Sequence, residues 1–226
     1  MKRKILSILS LVVCLTALIW CCGCSSQPDL TNSVSEYRSD IYEGTEGEYS
    51  VFASYTEREY PYLADGYVGN MTKIFEVVLT APDNTKTYAI QFTIGQKQYS
   101  AELSFDSVRM IHSCSQTIER PEEASITFIV TDIDSDSAPV ATVTASDIRS
   151  DEMLPLGRLL EKVQSAEQSH FGALTSGKNF AGEIYVRLLY ENTQCYYYVG
   201  IIDRTGNTYA ILADAVSGEI LATRNQ

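Results

Sequence analysis

The sequence predicts a mainly β chain that finishes α+β: an N-terminal antiparallel β-sandwich over residues 45–147, then a small helix-plus-antiparallel-sheet domain over residues 150–226. Three observations predict it. From Glu48 to about Ala145, apolar and polar residues alternate with a period of two between clusters of turn residues. Helical spacing of apolar residues comes once, later, at Leu156, Leu159, Leu160 and Val163. Of the six cysteines, four sit within the first 24 residues, which leaves Cys114 and Cys195 in separate predicted domains as free thiols. Packed cores rather than disulfides must therefore hold the fold.

The chain begins with a basic cluster, Met1-Lys2-Arg3-Lys4. An apolar run follows from Ile5 to Trp20, interrupted only by Ser7, Ser10 and Thr16. Such a run is short for a spanning helix, which needs ~20 residues, and with its basic flank it predicts an export signal over residues 1–23. Cys21-Cys22-Gly23-Cys24-Ser25-Ser26 sets a small residue directly before a cysteine and a polar stretch after it. This resembles the bacterial lipobox, with Cys21 where an aliphatic residue is usual. The resemblance implies cleavage before Cys24 and a diacylglyceryl group on that cysteine. The mature chain then sits on the extracytoplasmic face of a bacterial cell membrane, its contact with the membrane made by lipid. Two acyl chains, at ~0.8 kcal/mol per buried CH₂, hold a soluble domain stably. Residues 24–44, rich in Ser, Asn, Asp and Glu, read as a flexible tether.

The sandwich is expected to have about seven strands. Tyr49-Val51-Ala53-Tyr55, Tyr88-Ile90-Phe92-Ile94, Tyr99-Ala101-Leu103-Phe105 and Ile126-Phe128-Val130 each give one apolar face, and Ile74–Thr80 is dense enough for a central strand. Ala81-Pro82-Asp83-Asn84, Gly95-Gln96, Arg120-Pro121-Glu122 and Asp134-Ser135-Asp136 supply the turns. Ser150-Asp151-Glu152 and Pro155 predict the start of the helix, which should stop between Ser169 and Gly172. Strands at Ile184–Tyr190, Cys195–Ile202, Thr208–Ala213 and Glu219–Thr223 complete the expected two-layer unit.

Within that unit stand Tyr197-Tyr198-Val199-Gly200-Ile201-Ile202-Asp203, Gly206-Asn207, Tyr209-Ala210-Ile211 and Asp214-Ala215-Val216-Ser217-Gly218-Glu219-Ile220-Leu221. Over residues 150–226 the chain resembles the PepSY family of small extracytoplasmic domains, although its helix is Leu-rich where the family's is usually Ala-rich. The resemblance implies a protein-binding module whose partner is a secreted peptidase or a cell-wall hydrolase, bound or inhibited. It brings no catalytic residue. Asp214 and Gly218 carry over as structural turn residues only: an acceptor for turn N–H groups and a left-handed position that glycine occupies without strain.

Charge and motif content narrow the function further. The formal net charge is −12, and removal of residues 1–23 takes away three positive charges, leaving −15. Nucleic-acid binding needs clustered Lys and Arg and is not expected. His112 and His170 fall in different predicted domains and do not make a zinc site. No His-Glu-x-x-His, Gly-x-Ser-x-Gly or Gly-x-x-x-x-Gly-Lys-Ser/Thr occurs. Asp132-Ile133-Asp134-Ser135-Asp136 lacks the glycine and glutamate of a calcium loop, since Ser137 and Val143 stand at those positions. No catalytic residue, metal or cofactor is expected, and the chain reads as a non-enzyme.

The fifteen tyrosines are the remaining signal. In Tyr196-Tyr197-Tyr198 successive rings point to opposite faces, so part of the cluster must leave the helix-covered side, and Tyr197 is the expected partner contact. Tyr60, Tyr62 and Tyr67 lie in a segment without strand pattern. Tyrosine gives contact area at low entropy cost. An alternative reading follows from these three: an envelope lipoprotein that binds glycan or peptide through its β-sandwich domain.

Overall fold

The computed structural model describes residues 28–135 and 138–225. Cys24 and the expected export signal before it, together with Asp136 and Ser137 of the expected acidic turn, lie outside the described residues. The protein is mainly β, 56% strand with two α-helices, and thirteen strands share one sheet.

The tether expectation needs correction from Val34 onward. β1 (Val34–Glu46) is a thirteen-residue strand at the centre of the sheet. Its composition reads as loop because Ser35, Glu36, Ser39 and Asp40 are polar, yet all four are buried. Each has a partner supplied from far along the chain or from next door. Ser35 Oγ donates to the Ile184 carbonyl, Glu36 is paired with Arg187, and Ser39 Oγ donates to Asp40. Asp40 in turn holds Arg120 at 2.9 Å and Arg149 at 2.7 Å. Buried charges survive only when paired in this way.

One edge of β1 pairs along its length with β2 (Tyr49–Glu59), which leads through β3 (Met71–Thr80) and β7 (Ile111–Gln116) to β6 (Ser104–Asp106). The other edge is divided. Residues 34–38 pair in parallel with β12 (Gly182–Glu191), whereas Tyr42 and Glu43 pair antiparallel with β9 (Pro139–Asp147). From β9 the sheet runs through β8 (Ser125–Asp132) and β4 (Tyr88–Ile94) to β5 (Lys97–Glu102). β5 continues through Leu103 into β6, and the Leu103 N–H donates to the Tyr88 carbonyl at 2.8 Å. The strand-rich part is therefore a nearly closed antiparallel sheet. Tyr42, Tyr55, Phe75, Tyr88, Phe92 and Phe128 fill its inside.

β12 also begins a four-strand extension with β13 (Gln194–Asp203), β14 (Thr208–Asp214) and β15 (Ile220–Asn225). Two helices cover one face of it. α1 (Leu156–Ala166) puts Leu159, Leu160 and Val163 against Ile184, Val186, Val199 and Ile211, and α2 (Gln168–Leu174) adds Phe171. Fully burying one such side chain is worth ~1.5–3 kcal/mol. The helix differs from expectation at both ends. Ser150–Met153 is a turn rather than a cap, and the helix starts at Leu156, just after Pro155 with ψ 153°. It breaks at Glu167, φ −110°, and resumes as α2. Between α2 and β12, β10 (Thr175–Ser176) and β11 (Asn179–Phe180) form a separate hairpin. Cys114 and Cys195 are both free and half-buried.

Candidate functional site

Strand alternation gives the β12–β15 sheet two faces. On β13, Tyr197, Val199 and Ile201 belong to the helix-covered core, so Tyr196, Tyr198 and Gly200 face the other way. Tyr197 is therefore not a surface residue. It is 3% exposed, its hydroxyl donates to the Leu154 carbonyl at 3.1 Å, and burial pushes its phenol well above the usual range. The expectation took the face away from the helices as the partner surface but named Tyr197, which the alternation puts on the covered one.

The open face is built from three neighbouring strands. Arg38 of β1 lies opposite Arg187 of β12, which lies opposite Tyr198 of β13, and Glu36 lies opposite Arg58 of β2. Arg187 is held by Glu36, with Nη2 to Oε2 at 3.2 Å, and its guanidinium lies 4.9 Å from the centre of the Tyr185 ring. Tyr185 stacks on Tyr198 with ring centres 5.7 Å apart. A β-carbon on Gly200 would fall 2.0 Å from the Tyr185 ring, so only glycine lets that ring lie flat on the sheet. Arg38 Nε donates to the Leu188 carbonyl at 2.9 Å. Burial lowers its pKa, and the Arg187 charge beside it lowers it further. Together with Arg58 and Glu76 these residues line a trough of about 480 Å³.

The segment between β2 and β3 carries the other expected tyrosines, of which Tyr62 comes close to this face. Tyr62 is half-buried. Its phenol is pushed up to about 12, first by burial and then by the charges of Glu183 and Glu36, which places it beside the Arg187 row. Tyr67 is 55% exposed and carries the Arg204 guanidinium 4.8 Å above its ring. Tyr60 is 71% exposed. Glu183 and Glu59, both buried, lie close by, and by strict geometry three of their four carboxylate oxygens have no hydrogen-bond partner among the described residues. Burial pushes the Glu183 carboxyl up to about 7, helped by the negative charges of Glu59 and Asp65 and opposed by Ser35.

The remaining candidates are structural. His112 is buried against Tyr88 and Phe105, and burial lowers its pKa, so it sits neutral in the core. His170 stacks on Tyr209 with ring centres 3.6 Å apart. Asp132 is paired with Lys86 at 2.6 Å. Asp214 Oδ1 accepts the N–H groups of Val216 at 3.1 Å and Ser217 at 2.6 Å, and Gly218 has φ 71°. Among the described residues, no three His, Cys, Asp or Glu side chains are grouped to hold a metal ion. The open face sets forked guanidinium donors beside flat aromatic area.

Sequence reasoning passed over Arg38, Arg58, Arg187 and Tyr185, and had Tyr198 only as a member of the Tyr196–Tyr198 cluster. Part of that face was readable, because Glu183, Tyr185 and Arg187 alternate with Ile184, Val186 and Leu188. Arg38 was hidden in the segment taken for a tether. Comparison of the chain with protein-family models, with curated proteins and with solved structures gives no match in any of the three.

Proposed function

We propose that this chain is a lipoprotein of a bacterial envelope, anchored by lipid on Cys24 to the extracytoplasmic face of the cell membrane, and that it acts there as a non-enzymatic binding module. Its partner in this reading is a secreted peptidase or a cell-wall hydrolase. The observation that carries the reading is the open sheet face, where tyrosines and arginines line a trough while the opposite face is occupied by helices. The helix-backed sheet of residues 150–226 and its Asp214–Leu221 hairpin support a PepSY-like assignment for the binding unit. The strands before it are read as a sandwich whose edges have drawn together.

The test uses the full chain in detergent as bait against solubilised envelopes. Enrichment of a peptidase or wall hydrolase, reduced to background by Tyr198→Ala and kept by Tyr60→Ala, is the expected outcome. The exposure of Tyr60 and Tyr67 favours the second reading, glycan or peptide binding. Retention on wall glycan that disappears with Tyr60→Ala, with no peptidase or hydrolase enriched, would replace the first reading by the second.

A further inference from the structure

The geometry points to a binding site for a single carboxylate of a protein partner, one Asp or Glu side chain presented by an extended segment, seated between Arg38, Arg58 and Arg187. This rests on the open face being the partner surface and names the chemistry that the surface selects.

The argument starts from an arrangement that costs stability. Arg38 and Arg187 are directly opposite each other on adjacent strands, and like charges so placed repel. Glu36 compensates Arg187. Arg38 hydrogen-bonds only through Nε, to a neutral carbonyl, and its two terminal nitrogens make no hydrogen bond or ion pair among the described residues, although Glu36 and Glu76 stand near enough for their charges to act on it. Arg58 is exposed and has no ion pair or side-chain hydrogen bond among the described residues. Three arginines against Glu36 and Glu76 leave one surplus positive charge in the trough, on a chain whose net charge is −12. That surplus matches one carboxylate, whose planar oxygens fit a guanidinium fork in a bidentate pair. A phosphate-rich polymer would bring several negative charges past Glu36 and Glu76 and be repelled. The rings of Tyr185 and Tyr198 border the same place and supply apolar contact for the residues flanking the acid. At about 480 Å³ the trough is within the usual size of a ligand pocket, ~300–1,000 Å³.

The experiment follows the arginine Nε–H signals of the full chain in detergent micelles by NMR. The probe is a doubly blocked tyrosine–glutamate dipeptide, compared with its tyrosine–glutamine counterpart and with inorganic phosphate. The glutamate probe is expected to move the Arg38 and Arg58 signals, and the glutamine probe to leave them in place. Arg58→Gln should weaken binding about fivefold or more, as expected for loss of a charge-assisted bidentate pair. Arg58→Glu should abolish it, and Arg158→Gln on the helix-covered side should change nothing. An equal response to the glutamine probe, tighter binding of phosphate, or no movement of either signal would each overturn the proposal. If the envelope bait still enriches a peptidase or hydrolase in that last case, the binding-module reading stands and only the carboxylate site falls.

Discussion

Glu183 is the residue whose environment has the clearest consequence in solution. Its carboxyl titrates at about 7 in the fold against an ordinary 4.5, so between those values the folded protein holds more protons than the unfolded chain. Stability therefore falls as pH rises through that window, by roughly 3 kcal/mol at most. Glu183→Gln should remove this component. Guanidinium unfolding of both proteins at about pH 5 and about pH 8 tests it: the wild type should lose more stability across the interval than the variant, and parallel losses would refute the assignment. His112 acts with the opposite sign, because its lowered pKa makes the unfolded chain the better proton acceptor below the usual histidine range, and it is common to both proteins in the comparison. At this scale the sequence was legible where a residue acts locally. Asp214 and Gly218 form their turn from residues two to four apart. Glu183 was not legible, since its neighbours Glu59 and Asp65 come from more than a hundred positions away.

Among the elements, β1 and β13 set the site. The register of β1 against β2 shifts between Arg38 and Asp40. As a result Arg38 and Ile41 face Thr56 and Ser54, whereas Asp40 and Tyr42 face Tyr55 and Ala53 on the inner side. The shift delivers Arg38 to the open face and Asp40 to its two arginines. Asp40→Ala leaves Arg120 and Arg149 without their shared counter-ion, and should cost about 2–4 kcal/mol by denaturant unfolding. A change under about 0.5 kcal/mol, typical of a surface substitution, would show that water replaces the carboxylate. On β13, Gly200→Ala should cost about 1–3 kcal/mol through overpacking and displace the Tyr185 ring from Tyr198, visible as a change in near-ultraviolet circular dichroism. Most strands between 49 and 213 were readable because alternation survives wherever one face is buried. β1 was not readable, because the strand changes facing at the shift and its buried positions include charges that only the folded chain can pair.

For the whole molecule, the same strand belongs to both cores. Tyr42 packs inside the nearly closed sheet, and Ile41 packs with α1 and β12. Phe128→Ala and Leu159→Ala, one in each core, should each cost several kcal/mol, about 2–5, and both should lower one common thermal transition. Two transitions shifted separately would show that β1 does not couple the cores. Sequence alone suggested two consecutive domains because apolar periodicity reports which residues are buried and not against which strand. The parallel pairing of β1 with β12 leaves no local trace in either segment.

That pairing also sets the order in which the chain can mature. Val34 lies beside Ile184, so the first strand to be synthesised waits for a partner some 150 residues behind it. Contacts of such long separation close slowly, and an edge left open in the meantime is a template for pairing with other chains. A chain stopped before β12 would carry that open edge permanently. Synthesis and folding are thus tied together: protection of the β1 edge comes only once residues 182–191 have been made and can reach it.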